Sequence, residues 1–265
     1  MGRIESTFKN LTSKGEKALI AYVMAGDPTL AQTGPIILEM EKAGADLIEI
    51  GVPFSDPVAD GPTIQKAAER ALRQGVTLRD ILELVATLRR KTKVPLILMT
   101  YCNPIYAFGI EAFFKEAKGA GVDGLIVPDL PPEEAKEFLA QSRRHLIDLI
   151  LLVAPTTPSG RIQKIIKMGT GFIYYVPLTG VTGSKLTDKE AIRARLRELK
   201  SMTDRPIAAG FGISTPEDAR EIAKETDGII VGTALVRIVE TAPRDPDYLS
   251  SLTRLVSSLK EAIRP

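Results

Sequence analysis

Pro206-IAAGFGISTPEDAREIAKETDGIIVGT-Ala234 contains the reading that decides the fold. Two short apolar runs, Pro206–Ala209 and Gly228–Val231, each lead straight into glycine: G-F-G-I-S over Gly210–Ser214 and V-G-T-A over Val231–Ala234. Between them, Pro216–Glu225 mixes apolar residues at three- and four-residue spacing with Glu, Lys and Arg, as a helix with one buried face does. A strand, a helix and a second strand in this order imply parallel strands joined by a right-handed crossover.

The same alternation extends outward along the whole chain. Further candidate strands are Ala18–Met24, Leu47–Gly51, Pro95–Thr100, Gly124–Val127, Asp148–Val153 and Phe172–Val176. Helical periodicity fills Leu30–Ala43, Leu78–Thr92, Glu111–Ala120, Glu133–Arg144, Arg161–Met168 and Lys189–Met202, and Tyr248–Ile263 closes the sequence. Eight strands without a strong linker fit a closed barrel, with an open doubly wound sheet as the competitor. The glycines separate the two. They cluster late, in G-V-T-G (Gly180–Gly183) and in the two loops quoted above, where many barrels build a phosphate site from the loops after strands seven and eight. A dinucleotide-binding sheet would carry them after its first strand, where A-G-D-P offers only Gly26 and no G-x-G-x-x-G. The expectation is α/β: a single (β/α)8 TIM barrel over residues 1–265, with an extra N-terminal helix.

Composition sets limits on function. Of 265 residues, 44% are hydrophobic and 26% charged, ordinary for a globular chain with a large core. A net charge of +2 gives no reason to expect nucleic acid or an anionic membrane as partner. Cys102 is the single cysteine, so no internal disulfide forms. The N-terminus lacks the apolar stretch of a signal peptide, and no apolar run approaches a membrane span, so a cytoplasmic protein is expected.

The chemistry is concentrated in Ile48-EIGVPFSDPVADG-Pro62. Glu49 interrupts an apolar strand, and burying its carboxyl is costly unless it is paired or its pKa moves. Strand alternation puts Glu49 opposite Ile48 and Ile50; with those two against the helices, Glu49 points into the barrel. Asp60 follows eleven residues later on a loop stiffened by Pro53, Pro57 and Pro62. Two carboxyls in different surroundings supply an acid and a base from one chemical group. The competing readings are a buried structural ion pair for Glu49 and a helix cap for Asp60. Asp56, before Pro57, reads as a turn former. Phe54 and Val58 give the loop apolar surface, for packing on its own barrel or for a partner.

Other catalytic types are missing from the strands. The only histidine, His145, falls near a helix end at the N-terminal side of strand five. No strand contains lysine, so a Schiff base is unsupported. Cys102 has no histidine partner and reads as filler. A divalent metal would depend on carboxylates alone, and no further cluster of them stands out. Gly183, Gly212 and Gly232 can bring backbone N–H groups onto an anion, with a short helix from Thr233 adding its dipole; tight turns alone are the bland alternative. Acid–base chemistry then needs a phosphorylated substrate that accepts electrons itself.

The E-I-G-V-P-F-S-D-P-V-A-D-G-P segment, the G-V-T-G loop, G-F-G-I-S and V-G-T-A together resemble, in order and spacing, the tryptophan synthase alpha-subunit family. The resemblance covers essentially the whole chain. It implies cleavage of indole-3-glycerol phosphate to indole and glyceraldehyde 3-phosphate, with Glu49 as the acid–base residue and Asp60 stabilising charge at the ring nitrogen. It implies phosphate donors at Gly183, Gly212 and Thr233, with Gly210, Phe211 and Gly232 beside them. It places Tyr22, Met99, Ile126 and Phe211 in an indole pocket, Tyr174 in the site, and Thr182 on a closing loop, Pro177–Asp188. The family pattern differs at Tyr22 (commonly phenylalanine), Thr233 (commonly serine) and Pro177-Leu178, where a serine-containing run is usual and proline restricts the hinge. The implied partner is a beta subunit carrying pyridoxal phosphate, in an alpha2beta2 hetero-tetramer contacted by the Pro53–Pro57 loop and Asn103-Pro104; this chain itself would need no cofactor. Another phosphosugar barrel enzyme and a non-catalytic activator are the alternatives from other classes.

Overall fold

A computed structural model of the chain describes residues 2–176, 189–210 and 212–265. The strands β1 (Ala18–Met24), β2 (Leu47–Gly51), β3 (Leu96–Met99), β4 (Gly124–Ile126), β5 (Asp148–Ile150), β6 (Leu152–Val153), β7 (Ile173–Tyr175), β8 (Ile207–Gly210) and β9 (Gly228–Val231) are all parallel. Their order is β5-β4-β3-β2-β1-β9-β8-β7-β6. The two ends of that order, β5 and β6, are consecutive in the chain and separated by Leu151 alone, so the ring closes through one run of residues. The expected fifth strand is thus split: Asp148–Ile150 pairs with β4, and Leu152–Val153 pairs with β7. Counted by runs, the barrel has the eight strands expected.

Helices α1 (Arg3–Ser13), α2 (Leu30–Lys42), α3 (Pro62–Leu72), α4 (Leu78–Arg89), α5 (Cys102–Phe108), α6 (Ile110–Ala120), α7 (Lys136–His145), α8 (Ser159–Met168), α9 (Lys189–Ser201), α10 (Pro216–Ala223), α11 (Thr233–Glu240) and α12 (Tyr248–Ala262) complete the described elements. Local chemistry sets their starts. Thr77 and Asp80 cap α4 reciprocally, Thr215 accepts from the Asp218 N–H at α10, and Pro62 opens α3. The run expected from Glu133 becomes helical only at Lys136, because Glu134 and Ala135 bond three residues back to Pro131 and Pro132 in tighter turns. The short helix α5 carries too few periodic positions to be seen in the sequence.

Apolar side chains sort into layers. Ile48, Ile50, Leu96, Leu98, Val23 and Ile229 pack outward against the helices. Leu47, Ile20, Ile97, Ile126, Ile150, Phe172 and Ile230 fill the barrel, closed below by Ile4, Phe8 and Leu11 of α1 at helical spacing. Phe8 meets Phe172 with ring centroids 5.6 Å apart. A third group, Tyr22, Met24, Ile64, Ala67, Ala68, Ala71 and Val236, joins the barrel top to α3 and α11. The N-terminal end of the barrel is therefore plugged, and the opening lies at the C-terminal ends of the strands.

Candidate active site

At that end lies a cavity of ≈ 200 Å³ lined by Tyr22, Glu49, Ala59, Asp60, Gly61, Ile64, Met99, Pro128, Leu152, Tyr174, Val176, Gly210, Gly212, Ile230, Gly232 and Thr233. Alternation on β2 places Glu49 there. Its neighbours Ile48 and Ile50 belong to the helix-facing layer and Leu47 to the interior, so Glu49 shares the inner face above Leu47. Register sets Tyr22 beside it on β1 and Ile97 on β3.

Glu49 is 0% exposed, and neither carboxyl oxygen has a hydrogen-bond partner among the described residues. None of the described ion pairs involves it, which removes the reading of a structural salt bridge. Burial pushes its carboxyl up to about 8. Asp60 is half-buried on the loop before α3, its N–H bonded to the Pro57 carbonyl at 3.1 Å and its own carbonyl accepting from Gln65 Nε2 at 2.8 Å. Burial pushes its carboxyl up to about 6, and a hydrogen bond from Tyr101 holds it lower than burial alone would. Asp60 does not cap α3: the cap is Gly61, without any side-chain bond. At pH 7 the pair is therefore split, Glu49 mostly protonated and Asp60 mostly ionised. A carboxylic acid and a carboxylate face one apolar cavity.

The opposite wall is lined by glycines and a helix N-terminus. Gly210 ends β8, Gly212 follows at φ +54, a left-handed conformation that favours glycine, and Gly232 caps α11. The first turn of α11 has N–H groups with no acceptor inside the helix, and Gly232 and Thr233 reach the cavity. Of the residues expected in the site, Tyr22, Met99, Tyr174, Gly210, Gly212, Gly232 and Thr233 come together here with the two acids. Ile126 lies one layer deeper, in the barrel filling with Ile97 and Ile150, and is not among the cavity-lining residues. Thr182, Gly183, Phe211 and the Pro177–Asp188 loop lie outside the described residues.

Close approach shapes the floor. The Tyr22 phenol lies over Gly51, where an added Cβ would stand 2.0 Å from its hydroxyl oxygen, and the base of the same ring lies against Gly232. Gly51→Ala is expected to displace Tyr22 and destabilise the fold by ~1–3 kcal/mol in urea titrations, the usual cost of overpacking. Shortening Tyr22 to Leu in the same chain should recover part of that loss; equal losses in single and double variants would contradict the packing account.

Asp56 and Cys102 fall as expected, whereas His145, expected at the surface, is half-buried with its Nε2 out of contact with water and without a hydrogen-bond partner among the described residues. Asp56 is exposed and bonded to its neighbour Ser55 at 2.5 Å. His145 ends α7, at the plugged end of the barrel. Cys102 is buried, and burial, then Asp129, pushes its thiol up to about 12, far from a thiolate at neutral pH. Among the described residues no three His, Cys, Asp or Glu side chains converge on a possible metal position. Sequence reading passed over Tyr101, Leu152 and Ile230. Leu152 and Ile230 share the inward parity of Ile150 and Gly228 and were findable by alternation; Tyr101 shares the parity of Ile97 and Met99 but lies beyond the end of β3, where alternation no longer fixes direction.

Comparison with known proteins places this geometry. The family model described as "Tryptophan synthase alpha chain" matches residues 8–264. The tryptophan synthase alpha chain of Citrifermentans bemidjiense is 51% identical over 263 residues, 99% of this chain and 98% of that one. The crystal structure of tryptophan synthase subunit alpha from Legionella pneumophila superposes with a TM-score of 0.93 at 39% identity, covering 99% of this chain and 98% of that one. A chain in the structure of Mycobacterium tuberculosis tryptophan synthase superposes with a TM-score of 0.91 at 35% identity, covering 100% of this chain and 99% of that one.

Proposed function

This chain belongs to the tryptophan synthase alpha chain family, and on that footing we propose that Glu49 and Asp60 divide the proton transfers of the family reaction. That reaction cleaves indole-3-glycerol phosphate into indole and glyceraldehyde 3-phosphate in tryptophan biosynthesis, and this chain is its lyase subunit. Glu49, protonated at neutral pH, gives its proton to carbon 3 of the indole ring. The ring becomes cationic, and the Asp60 carboxylate accepts a hydrogen bond from its N–H and stabilises the charge. Glu49, now a carboxylate, takes the proton of the hydroxyl on the first side-chain carbon. That oxygen closes to an aldehyde, the carbon–carbon bond breaks, and its electron pair restores the aromatic ring. Glu49 ends protonated, as it began.

Tyr22, Met99 and Tyr174 hold the ring, while Gly212, Gly232, Thr233 and Gly210 hold the phosphate with backbone N–H groups; Thr182, Gly183 and Phe211 complete the two ends. The observation that carries this assignment is the wholly buried, unpartnered Glu49 carboxyl facing an ionisable Asp60 across the cavity.

The chain's partner is a beta subunit, and we assign the assembly as alpha2beta2. The contact surface would include Pro53–Pro57, followed at once by Val58, 82% exposed beside a groove of ≈ 570 Å³ running to Leu72, and the Asn103-Pro104 segment next to exposed Tyr106. This chain needs no cofactor in the scheme; pyridoxal phosphate belongs to the beta subunit. Among the described residues no helix is long and apolar enough to cross a membrane, and the cytoplasm is the assigned compartment.

Indole release by the purified chain, alone and with a beta subunit, tests the assignment. The expected kcat/KM profile is bell-shaped. It rises through about pH 6 as Asp60 loses its proton and falls through about pH 8 as Glu49 loses the one it must donate. Tight phosphosugar binding without indole under either condition would point instead to another phosphosugar enzyme.

A further inference from the structure

We infer that Tyr101 is the positioning residue for Asp60: a single hydroxyl fixes both the carboxylate and the backbone of the loop that presents it. The inference rests on Asp60 having the role assigned above. The Tyr101 oxygen accepts the Ala59 N–H at 3.2 Å, which leaves its O–H to act on the adjacent Asp60 carboxyl, whose ionised form it favours. The loop is thus tied at Ala59, next to Asp60, to an atom that belongs to another part of the barrel, 42 positions along the chain.

That atom is itself held from several sides. Tyr101 lies two residues beyond the end of β3, and the N–H of the intervening Thr100 bonds to the Ile126 carbonyl at 3.0 Å. The N–H of Cys102 bonds both oxygens of Asp129 at 2.9 and 3.2 Å, which fixes the start of α5. The Phe54 ring packs on the Tyr101 ring with centroids 5.3 Å apart. Tyr101 is 3% exposed, so its hydroxyl is largely withdrawn from water. By contrast, the loop it secures is largely open: Ser55, Asp56, Val58, Ala59 and Gly61 are all exposed. Within this segment Asp60 is held by its backbone, through its N–H to Pro57 and its carbonyl from Gln65, and not by any described bond to its carboxylate. The rigid partner supplies that hold.

The described titratable groups on which the Asp60 charge acts are Tyr101, Tyr22 on β1 and Tyr174 on β7, and Glu49 on β2 acts on the last two as well. The three phenols are pushed up by burial first and then by charge, from Asp60 at all three and from Glu49 at Tyr22 and Tyr174, so they stay neutral throughout the working range. Asp129 faces Tyr101 from the loop after β4. Donation from Tyr101 favours the ionised form of Asp60, so its removal must raise the pH at which Asp60 ionises.

Tyr101→Phe keeps the ring, and with it the Phe54 contact, and deletes only the hydroxyl. With the full chain and its beta subunit, kcat should fall about tenfold, the equivalent of one hydrogen bond. KM should stay within about twofold. The ascending limb of the pH profile should move up by about half to one unit while the descending Glu49 limb stays in place. A second measurement needs no turnover: 13C NMR titration of the Asp60 carboxyl, identified by its absence in Asp60→Asn. An upward shift there, together with the moved limb, supports the inference. An unchanged Asp60 titration overturns it, as does a loss of activity accompanied only by a lower Tm. A shifted titration with an unmoved limb would leave the tether standing and instead refute Asp60 as the group behind that limb.

Discussion

Glu49→Gln is expected to lower kcat for indole release by about 10²- to 10⁴-fold, the usual worth of a positioned acid–base group. Glutamine matches the protonated carboxyl in size and in hydrogen bonding, so substrate affinity should change little. The loss then appears in kcat rather than KM, and the descending limb of the pH profile should vanish with the group that causes it. A second consequence concerns stability. The folded value near 8 lies above the unfolded value of about 4.3. Below pH ~4 both states hold the proton and no penalty exists. Between ~4 and ~8 the unfolded chain releases it while the fold retains it, so stability falls by about 1.4 kcal/mol per pH unit, and above ~8 the loss stops growing. Glu49→Gln lacks this term. Denaturant curves at pH 5 and pH 8.5 should therefore show the variant gaining several kcal/mol on the wild type across that interval. A wild type and variant that move in parallel would mean that Glu49 is solvated or paired.

Asp60→Asn should also cost turnover heavily, by about 10²- to 10³-fold, because a neutral amide cannot stabilise a cationic ring as a carboxylate does. Here the stability change should stay within about 1 kcal/mol. Asp60 is half-buried on a loop, caps no helix and joins none of the described ion pairs, and the amide oxygen still accepts from Tyr101. The ascending limb should disappear while the descending one remains. Steady-state kinetics beside denaturant curves check both halves. Normal turnover in Asp60→Asn would remove the residue from the mechanism. A large stability loss would make it structural. The two acids are thus told apart by opposite effects: one substitution leaves the rising limb and relieves the fold, and the other leaves the falling limb and barely moves it.

Much of this was legible in the sequence, for identifiable reasons. The inward direction of Glu49 followed from strict alternation, because Ile48 and Ile50 had only the helices to pack against. The glycine-lined wall followed from glycines that sit directly after strands, which put Gly210, Gly212 and Gly232 at the cavity. The split of the fifth strand was not legible, since it arises when one run exchanges its pairing from β4 to β7 at Leu151, and pairing partners leave no local pattern. Depth along the barrel was equally hidden. Ile126, Met99 and Leu152 all point inward, but strand stagger decides which of them reach the cavity, and it leaves Ile126 in the filling below. Tyr101 was hidden for a third reason: its bonds to the Asp60 loop join residues far apart in the chain. Short-range periodicity reports which face a side chain takes, not what it meets there.

The most direct test of the central claim is the protonation state of Glu49 itself. Infrared difference spectra between the wild type and Glu49→Gln, followed from pH 5 to pH 10, isolate the carbonyl stretch of a protonated carboxylic acid. The account predicts that this band is present at pH 7 and disappears with a midpoint near 8. Its absence at pH 7, with a carboxylate signal in its place, would contradict the claim that the buried acid holds the proton delivered to the ring.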